Sequence, residues 1–82
     1  MTSFLVEAYT PATIEIGDVE ARARRAADQL ARAGTEVEYV RAIHVPEDEL
    51  CFHLVDAATV EAADDLVRQA GIAPVRIVET RP

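Results

Sequence analysis

The chain has 82 residues, a formal net charge of −7 and no lysine. This length fits one small domain, taken as residues 1–82, and half of the residues are hydrophobic, as in globular proteins. The acidic balance argues against partners such as nucleic acid and anionic membranes, and no apolar run approaches the roughly 20 residues that span a bilayer. Because the single Cys51 cannot form an internal disulfide and residues 1–4 lack a basic signal-peptide start, we expect a cytoplasmic protein.

A short strand and a long amphipathic helix are predicted first. Residues 3–9 form a β-rich run that Pro11 ends, since proline cannot continue a central strand. Asp18 is predicted to be the N-cap of the helix, and Gly34 is predicted to end it. The apolar stripe of this helix, spaced by three and four residues, consists of Val19, Ala23, Ala26, Leu30 and Ala33. Its alanines predict a helix that lies close to the sheet.

A hairpin follows. Residues 36–45 and 50–55 are rich in β-formers and are joined by the polar turn Pro-Glu-Asp-Glu. A connection of about four residues predicts an antiparallel pair of strands. Leu50, Phe52 and Leu54 alternate onto one face, which is expected to pack against the helices.

A second helix and a last strand complete the pattern. Thr59 is predicted to cap this helix and Gly71 to end it, and residues 75–80 form the last strand. The apolar face of the helix consists of Val60, Ala63, Leu66, Val67 and Ala70. The order β-α-β-β-α-β with right-handed crossovers predicts an α+β, ferredoxin-like sandwich with strand order 4-1-3-2. In this fold two helices cover one face of a four-stranded antiparallel sheet.

The residues that could carry chemistry cluster in the hairpin. Gly-rich phosphate loops and the Cys-x-x-Cys, His-Glu-x-x-His and Gly-x-Ser-x-Gly motifs are absent from the sequence. Both histidines and the only cysteine lie within ten residues, as His44, Cys51 and His53. If Val45 faces Leu50 across the hairpin, then His44 faces Cys51, and alternation places all three polar residues on the helix-free face of the sheet.

This trio favours a metal-binding protein. Thiolate and imidazole together suit nickel, zinc, copper or cobalt. Glu7 of the neighbouring first strand is expected on the same face, so the predicted ligands of a divalent transition metal are His44, His53, Cys51 and Glu7. Histidine and cysteine on strands also serve as packing or pocket residues, and that interpretation stays open.

Short segments along nearly the whole chain carry a resemblance to a known family. They are residues 4–7, Val45 with Glu47-Asp48, residues 56–59, Gly71-Ile72 and residues 75–77. With these segments the chain resembles a family of small ferredoxin-like proteins, a domain of unknown function with nickel-binding members from actinobacteria. The resemblance implies a cytoplasmic homodimer that joins sheet faces, with a metal, nickel or else zinc, bound by histidines in some members.

The chain departs from this family at the hairpin. The family's second strand often reads His-x-Tyr-Val, whereas residues 42–45 read Ala-Ile-His-Val. Ala42 therefore stands at the usual histidine position, and His44 stands at the aromatic one. The third strand of the family often carries cysteine where this chain has His53. The family's ligands are thus not simply preserved.

Two other function classes stay open. One is a small-molecule-binding protein or minor enzyme of the dimeric α/β-barrel type, with a pocket on the helix-free sheet face. There His44, His53, Tyr9, Tyr39 or Glu7 would act as acid, base or orienting group. The other class is an interaction module without a small ligand. The sequence leaves open whether the protein is an enzyme.

Self-association is expected in each case. The helices cover one sheet face, and the other face is expected to carry Leu5, Tyr9, Val40, Ala42 and Val55. An exposed apolar patch of this kind on a small domain is typical of an interface. A two-fold axis through the helix-free face would bury the same surface on both subunits and give a homodimer.

Overall fold

Residues 1–81, which this computed structural model describes, form one four-stranded antiparallel sheet and two helices. The elements are β1 (Thr2–Tyr9), α1 (Ile16–Arg32), β2 (Val37–Val45), β3 (Leu50–Ala57), α2 (Val60–Gln69) and β4 (Pro74–Glu79), with a 3₁₀ turn at Pro46–Asp48. The strand order is β2-β3-β1-β4, and every pairing is antiparallel. This arrangement confirms the predicted ferredoxin-like sandwich. Within the described residues, neither helix is both long enough and apolar enough to cross a membrane.

The start of α1 differs from the prediction. Glu15 is the N-cap and makes no side-chain capping bond, whereas Asp18 lies inside the first turn. The predicted N-cap at Asp18 is therefore wrong by three residues. An aspartate is favourable at both places, because it can cap the first N–H groups or lie within the first turn near the positive end of the helix dipole. The predicted end is confirmed at Gly34, where φ is +95°.

The ends of α2 follow the sequence closely. The Thr59 hydroxyl accepts a hydrogen bond from the Ala62 N–H at 3.1 Å, which confirms the predicted cap. Gly71 has φ of +81°, and the next N–H, of Ile72, donates to the Val67 carbonyl at 2.8 Å. These contacts satisfy backbone groups that the helix itself leaves free.

The core lies between the helices and one face of the sheet. It contains most of the predicted helix stripes, but Val60 of α2 and Ala33, the C-cap of α1, are exposed and were wrongly assigned to buried helix faces. From the sheet it contains Phe4, Val6 and Ala8 of β1. Several alanines of α1 and α2 are buried in the interface, as expected for helices that lie close to a sheet.

The two faces of β3 are reversed relative to the prediction. Val6 of β1 is paired with His53, so His53 shares the face that the helices cover. The buried residues of β3 are Cys51, His53, Val55 and Ala57. The expectation that Leu50, Phe52 and Leu54 pack against the helices is wrong, because these residues occupy the other face. Both faces of this central strand carry apolar side chains, so alternation could not show which face is covered.

A bulge at Val40 resets the alternation of β2. Tyr39 is paired with Val55 and Arg41 with Leu54, which leaves Val40 as an extra residue. Tyr39 and Ala42, three residues apart, therefore both lie on the core side. Two side chains of α1 hold this irregular backbone. The terminal nitrogens of Arg24 donate to the Tyr39 and Val40 carbonyls, both at 3.3 Å, and the Glu20 carboxylate accepts from the Ala42 N–H at 3.0 Å.

The helix-free face, here called the open face, is more apolar than predicted. By the strand register it carries Leu5, Tyr9, Ile43, Val45, Leu50, Phe52, Leu54 and Val78, with Glu7, Arg41 and Arg76 among them. Of the residues expected there, Leu5 and Tyr9 are confirmed. Val55 and Ala42 were placed wrongly, since both pack on the core side, and Val40 is the bulge residue.

Candidate ligand pocket beside His53

The hairpin register agrees with the sequence prediction, but the sheet face on which its polar side chains lie does not. Val45 is paired with Leu50 and His44 with Cys51, as predicted. The trio of His44, Cys51 and His53 nevertheless lies on the helix-covered face, so its predicted position on the helix-free face is wrong.

Glu7 is separated from this trio by the sheet. It is paired with Phe52 of β3 and Arg76 of β4, on the open face. The four predicted ligands therefore do not converge on one side. Within residues 1–81, no group of three or more histidine, cysteine, aspartate or glutamate side chains is arranged to hold a metal ion.

His44 and Cys51 have local roles in the hairpin. The Nε2 atom of His44 lies 3.4 Å from the Thr10 carbonyl, to which it donates as an N–H. Cys51 is fully buried, and this burial, with a smaller effect from the Glu20 carboxylate, raises the pKa of its thiol to about 11. Because a metal ligand must be the thiolate, this burial disfavours coordination by Cys51 at neutral pH.

His53 is the most unusual polar residue of the core. Only 1% of its surface is exposed, and its Nδ1 atom lies 2.8 Å from the hydroxyl of Tyr39, which is also buried. Burial lowers the pKa of His53 to about 4, although the negative charge of Glu20 opposes this shift. The imidazole is therefore neutral at physiological pH. Its other nitrogen, Nε2, is buried and has no hydrogen-bond partner among the described residues.

The hydrogen bond with Tyr39 indicates which nitrogen of His53 carries the proton. If the hydroxyl donates to Nδ1, then Nε2 carries the hydrogen and is the single unpaired donor. If Nδ1 donated instead, both the hydroxyl hydrogen and the Nε2 lone pair would lack partners. The first arrangement leaves fewer buried polar groups unsatisfied, so it is favoured. His53 then presents an N–H on the side of the ring away from Tyr39.

A cavity of about 320 Å³ has His53 among its lining residues. Tyr39 belongs to β2, whereas β1 flanks β3 on the opposite side, and the end of β1 forms one wall of the cavity. The lining residues are Tyr9, Thr10, Pro11, Ile14, Glu15, Asp18, Val19, Arg22, His53, Gly71, Ile72 and Ala73. This cavity, here called the His53 pocket, thus lies among the end of β1, the first turns of α1 and the loop before β4.

The His53 pocket has an apolar wall and a charged rim. Val19 and Ile72 are buried apolar residues, whereas Glu15, Asp18 and Arg22 are exposed. The Arg22 Nε atom donates to the Ala70 carbonyl at the end of α2, at 3.1 Å, which fixes its guanidinium across the two helices. The volume falls at the lower end of the range for small-molecule sites, about 300–1,000 Å³.

Sequence patterns predicted only part of this site. His53 was predicted as a metal ligand or, in the small-molecule alternative, as an acid, base or orienting group together with Tyr9, but in both cases at a site on the helix-free face. Asp18 was assigned to the helix start, and Arg22 was not considered for the site, because both lie off the apolar stripe of α1. Their spacing of four residues places them on one side of the helix, which is the available signal for a shared rim. The approach of the loop at Gly71 has no local signal at all.

Comparison with known proteins supports the fold. No family model matches the chain, and no curated protein matches it. A crystal structure of SCO4226 from Streptomyces coelicolor A3(2) superposes with a TM-score of 0.72 at 19% sequence identity, covering 95% of this chain and 94% of that one. At this identity the likeness concerns the βαββαβ sandwich alone.

Proposed function

We propose that this protein binds a small organic molecule in the His53 pocket. The observation that carries the proposal is the unpartnered Nε2 atom of His53, a buried polar group beside a cavity of about 320 Å³. An unsatisfied buried donor costs about 1–3 kcal/mol. A ligand oxygen that accepts this hydrogen bond would recover that free energy, while apolar atoms of the ligand pack on Val19 and Ile72.

The low pKa of His53 suits binding more than proton transfer. A base with a pKa near 4 is a weak acceptor of protons at pH 7, and general bases work best with a pKa near the operating pH. A neutral imidazole held by Tyr39 is instead a rigid hydrogen-bond donor. The proposal is therefore a binding protein. It replaces the pocket expected on the helix-free face with one on the helix-covered side.

The test is a ligand screen by NMR, in which the ¹⁵N signals of the histidine imidazole nitrogens report binding. Only two histidines are present, so a His44→Gln variant assigns their ¹⁵N signals. Amino acids, amines, carboxylates, amides and sugars are titrated to roughly 10 mM, a concentration at which binding weaker than about −4 kcal/mol is still seen. We expect at least one class to shift the Nε2 signal of His53 together with the amide signal of Ile72.

Two results would overturn this function. One is a His53 signal that no class shifts. The other is a tightly held internal water on Nε2, seen as a water–imidazole cross-peak that no compound removes. His53→Leu should abolish binding, and His44→Gln, outside the pocket, should retain it. The wild-type titration decides the matter even if His53→Leu folds poorly.

We further propose a homodimer through the open face. Eight apolar side chains lie on that face of the described residues, and Ile43 alone is 46% exposed. Large exposed apolar patches are uncommon on monomers of this size. The pairing of Glu7 with Arg76 places opposite charges side by side on the same face, which a two-fold axis can match with their copies.

Nickel or zinc binding and a cytoplasmic location stay predictions. Calorimetry with Ni²⁺ and Zn²⁺ tests the first, by comparing the wild type with a His44→Ala/His53→Ala double variant. Specific binding should disappear in the double variant. Equal affinity for both proteins would show that the histidines are not ligands. Since imidazoles must be deprotonated to bind, a histidine-dependent affinity should fall on acidification.

A further inference from the structure

The rim of the His53 pocket carries charges of both signs. Glu15 is the N-cap of α1, Asp18 lies in its first turn, and Arg22 lies one turn later. All three side chains line the cavity. A ligand with a single charge would meet a charge of its own sign on this rim, which repels it. A ligand with charges of both signs can pair each of them with an opposite charge.

We infer that the His53 pocket takes a small zwitterion of the α-amino-acid class with an apolar side chain. Its carboxylate would accept from the His53 Nε2–H and from the Arg22 guanidinium, and its ammonium would face Glu15 and Asp18. Its side chain would pack against Val19 and Ile72. This inference rests on the proposed function and adds the chemical class of the ligand.

The groups at the site fit these roles. Nε of Arg22 is engaged by the Ala70 carbonyl at 3.1 Å, and no hydrogen bond of its two terminal nitrogens occurs among the described residues. Those nitrogens can form the paired bonds that guanidinium makes with carboxylate. Glu15 makes no capping bond to its own helix, so its carboxylate is free to meet an ammonium group.

The charge pattern also argues against the single-charge alternatives. A simple carboxylate would gain Arg22 and the positive end of the α1 dipole, but it would enter past two carboxylates on a chain of net charge −7. A simple amine would gain the two carboxylates, but it would leave the buried Nε2–H without an acceptor. An amino acid resolves both conflicts, and the cavity volume suits a molecule of that size.

The experiment uses three molecules of similar shape. They are L-leucine, 4-methylpentanoate, which lacks the ammonium, and 3-methylbutylamine, which lacks the carboxylate. The His53 imidazole signal reports occupancy for all three. We expect L-leucine to bind about fivefold more tightly than either analogue, a ratio that corresponds to about 1 kcal/mol for a partly exposed charge pair.

Charge-neutral variants assign each end of the ligand. Glu15→Gln/Asp18→Asn should remove the advantage of L-leucine over 4-methylpentanoate and leave its advantage over the amine. Arg22→Gln should reduce the advantage of L-leucine over 3-methylbutylamine and leave its advantage over 4-methylpentanoate. Arg25→Gln, on the same helix and outside the pocket, is the matched control and should change neither ratio.

The possible failures are distinguishable. If either analogue binds as tightly as L-leucine and still shifts the His53 signal, the zwitterion is wrong and the pocket stands. If L-leucine binds without shifting that signal, it binds elsewhere and the inference fails. If another class shifts the signal and L-leucine does not, the ligand class is wrong. If nothing shifts it, the proposed function fails as well.

Discussion

The two faces of the sheet carry their polar and apolar residues in an unexpected distribution. The covered face holds His53, Tyr39 and Cys51 in the core, whereas the open face presents Leu5, Phe52 and Leu54. A simple inside-outside rule would exchange these sets. The proposed ligand pocket would use the buried polar residues of the covered face, and the proposed dimer would cover the apolar residues of the open face.

Truncation in the helix-side core should have the largest effect. Leu66 of α2 is fully buried against the sheet. Leu66→Ala should lower the free energy of unfolding by about 2–5 kcal/mol, because it removes apolar contacts and leaves a cavity. Urea denaturation at two protein concentrations measures this.

The matched control lies on the open face. Leu54→Ala removes the same atoms from a half-buried side chain. At high dilution it should cost about 1 kcal/mol, because less apolar area is lost. An equal cost for both variants at high dilution would contradict the distinction between the faces.

Acidification should act through the covered face. The pKa of His53 is lowered to about 4 in the folded protein, against about 6.5 when unfolded. Between these values the unfolded chain binds the additional proton, so stability is full above pH 6.5 and falls as the pH drops towards 4. The loss should be on the order of 3 kcal/mol. Urea titrations at pH 7, 5.5 and 4 measure it.

The other histidine provides the control for this effect. His44→Gln should keep the pH dependence, whereas His53→Leu should lose its part of it between pH 6.5 and 4. If the two variants show the same pH profile, His53 is not the group responsible. Acidic residues contribute mainly at lower pH and are unchanged in both variants.

A charge on the open face should separate the proposed dimer. Phe52 is paired with Glu7 and Ile43 at the centre of that face. Phe52→Glu should weaken association by about 2 kcal/mol per subunit or more, the size expected of a central aromatic residue. Sedimentation equilibrium at roughly 10 µM, where a micromolar dimer is populated, detects the change.

A second charged variant tests whether location matters. Ala21→Glu adds the same charge to the exposed side of α1 and should leave the mass unchanged. A wild-type protein that is monomeric at this concentration would remove the proposed dimer. The His53 pocket is lined by residues of one chain and does not depend on that result.

The smallest effect is expected at the bulge. Arg24 donates to the carbonyls on either side of the Tyr39–Val40 bond, and its guanidinium lies 5.4 Å from the centre of the Tyr39 ring. Arg24→Ala should cost about 1 kcal/mol of stability. The Nδ1 signal of His53 should also shift, because Tyr39 becomes less constrained. Arg32→Ala, exposed at the end of α1, is the control and should change neither quantity.

The elements themselves were predictable because their signals are local. Thr59, Gly34 and Gly71 mark helix ends through backbone geometry that neighbouring residues decide, and the four-residue turn fixes the hairpin register. Asp18 shows the limit of such signals, since an aspartate suits two positions at a helix start. These features, with right-handed crossovers, were sufficient for the strand order.

The assignment of faces was decided only by the tertiary structure. Residues 50–57 alternate between two sets that are both largely apolar, so the covered set depends on pairing with β1 and on where the alanine-rich helices pack. The bulge at Val40 shifts β2 by one residue, and Arg24 and Glu20, distant in sequence, hold it. The His53 pocket depends on which face of β3 the helices cover, on the bulge that positions Tyr39 beside His53, and on the loop at Gly71. Its residues come together through long-range packing, which local sequence patterns do not encode.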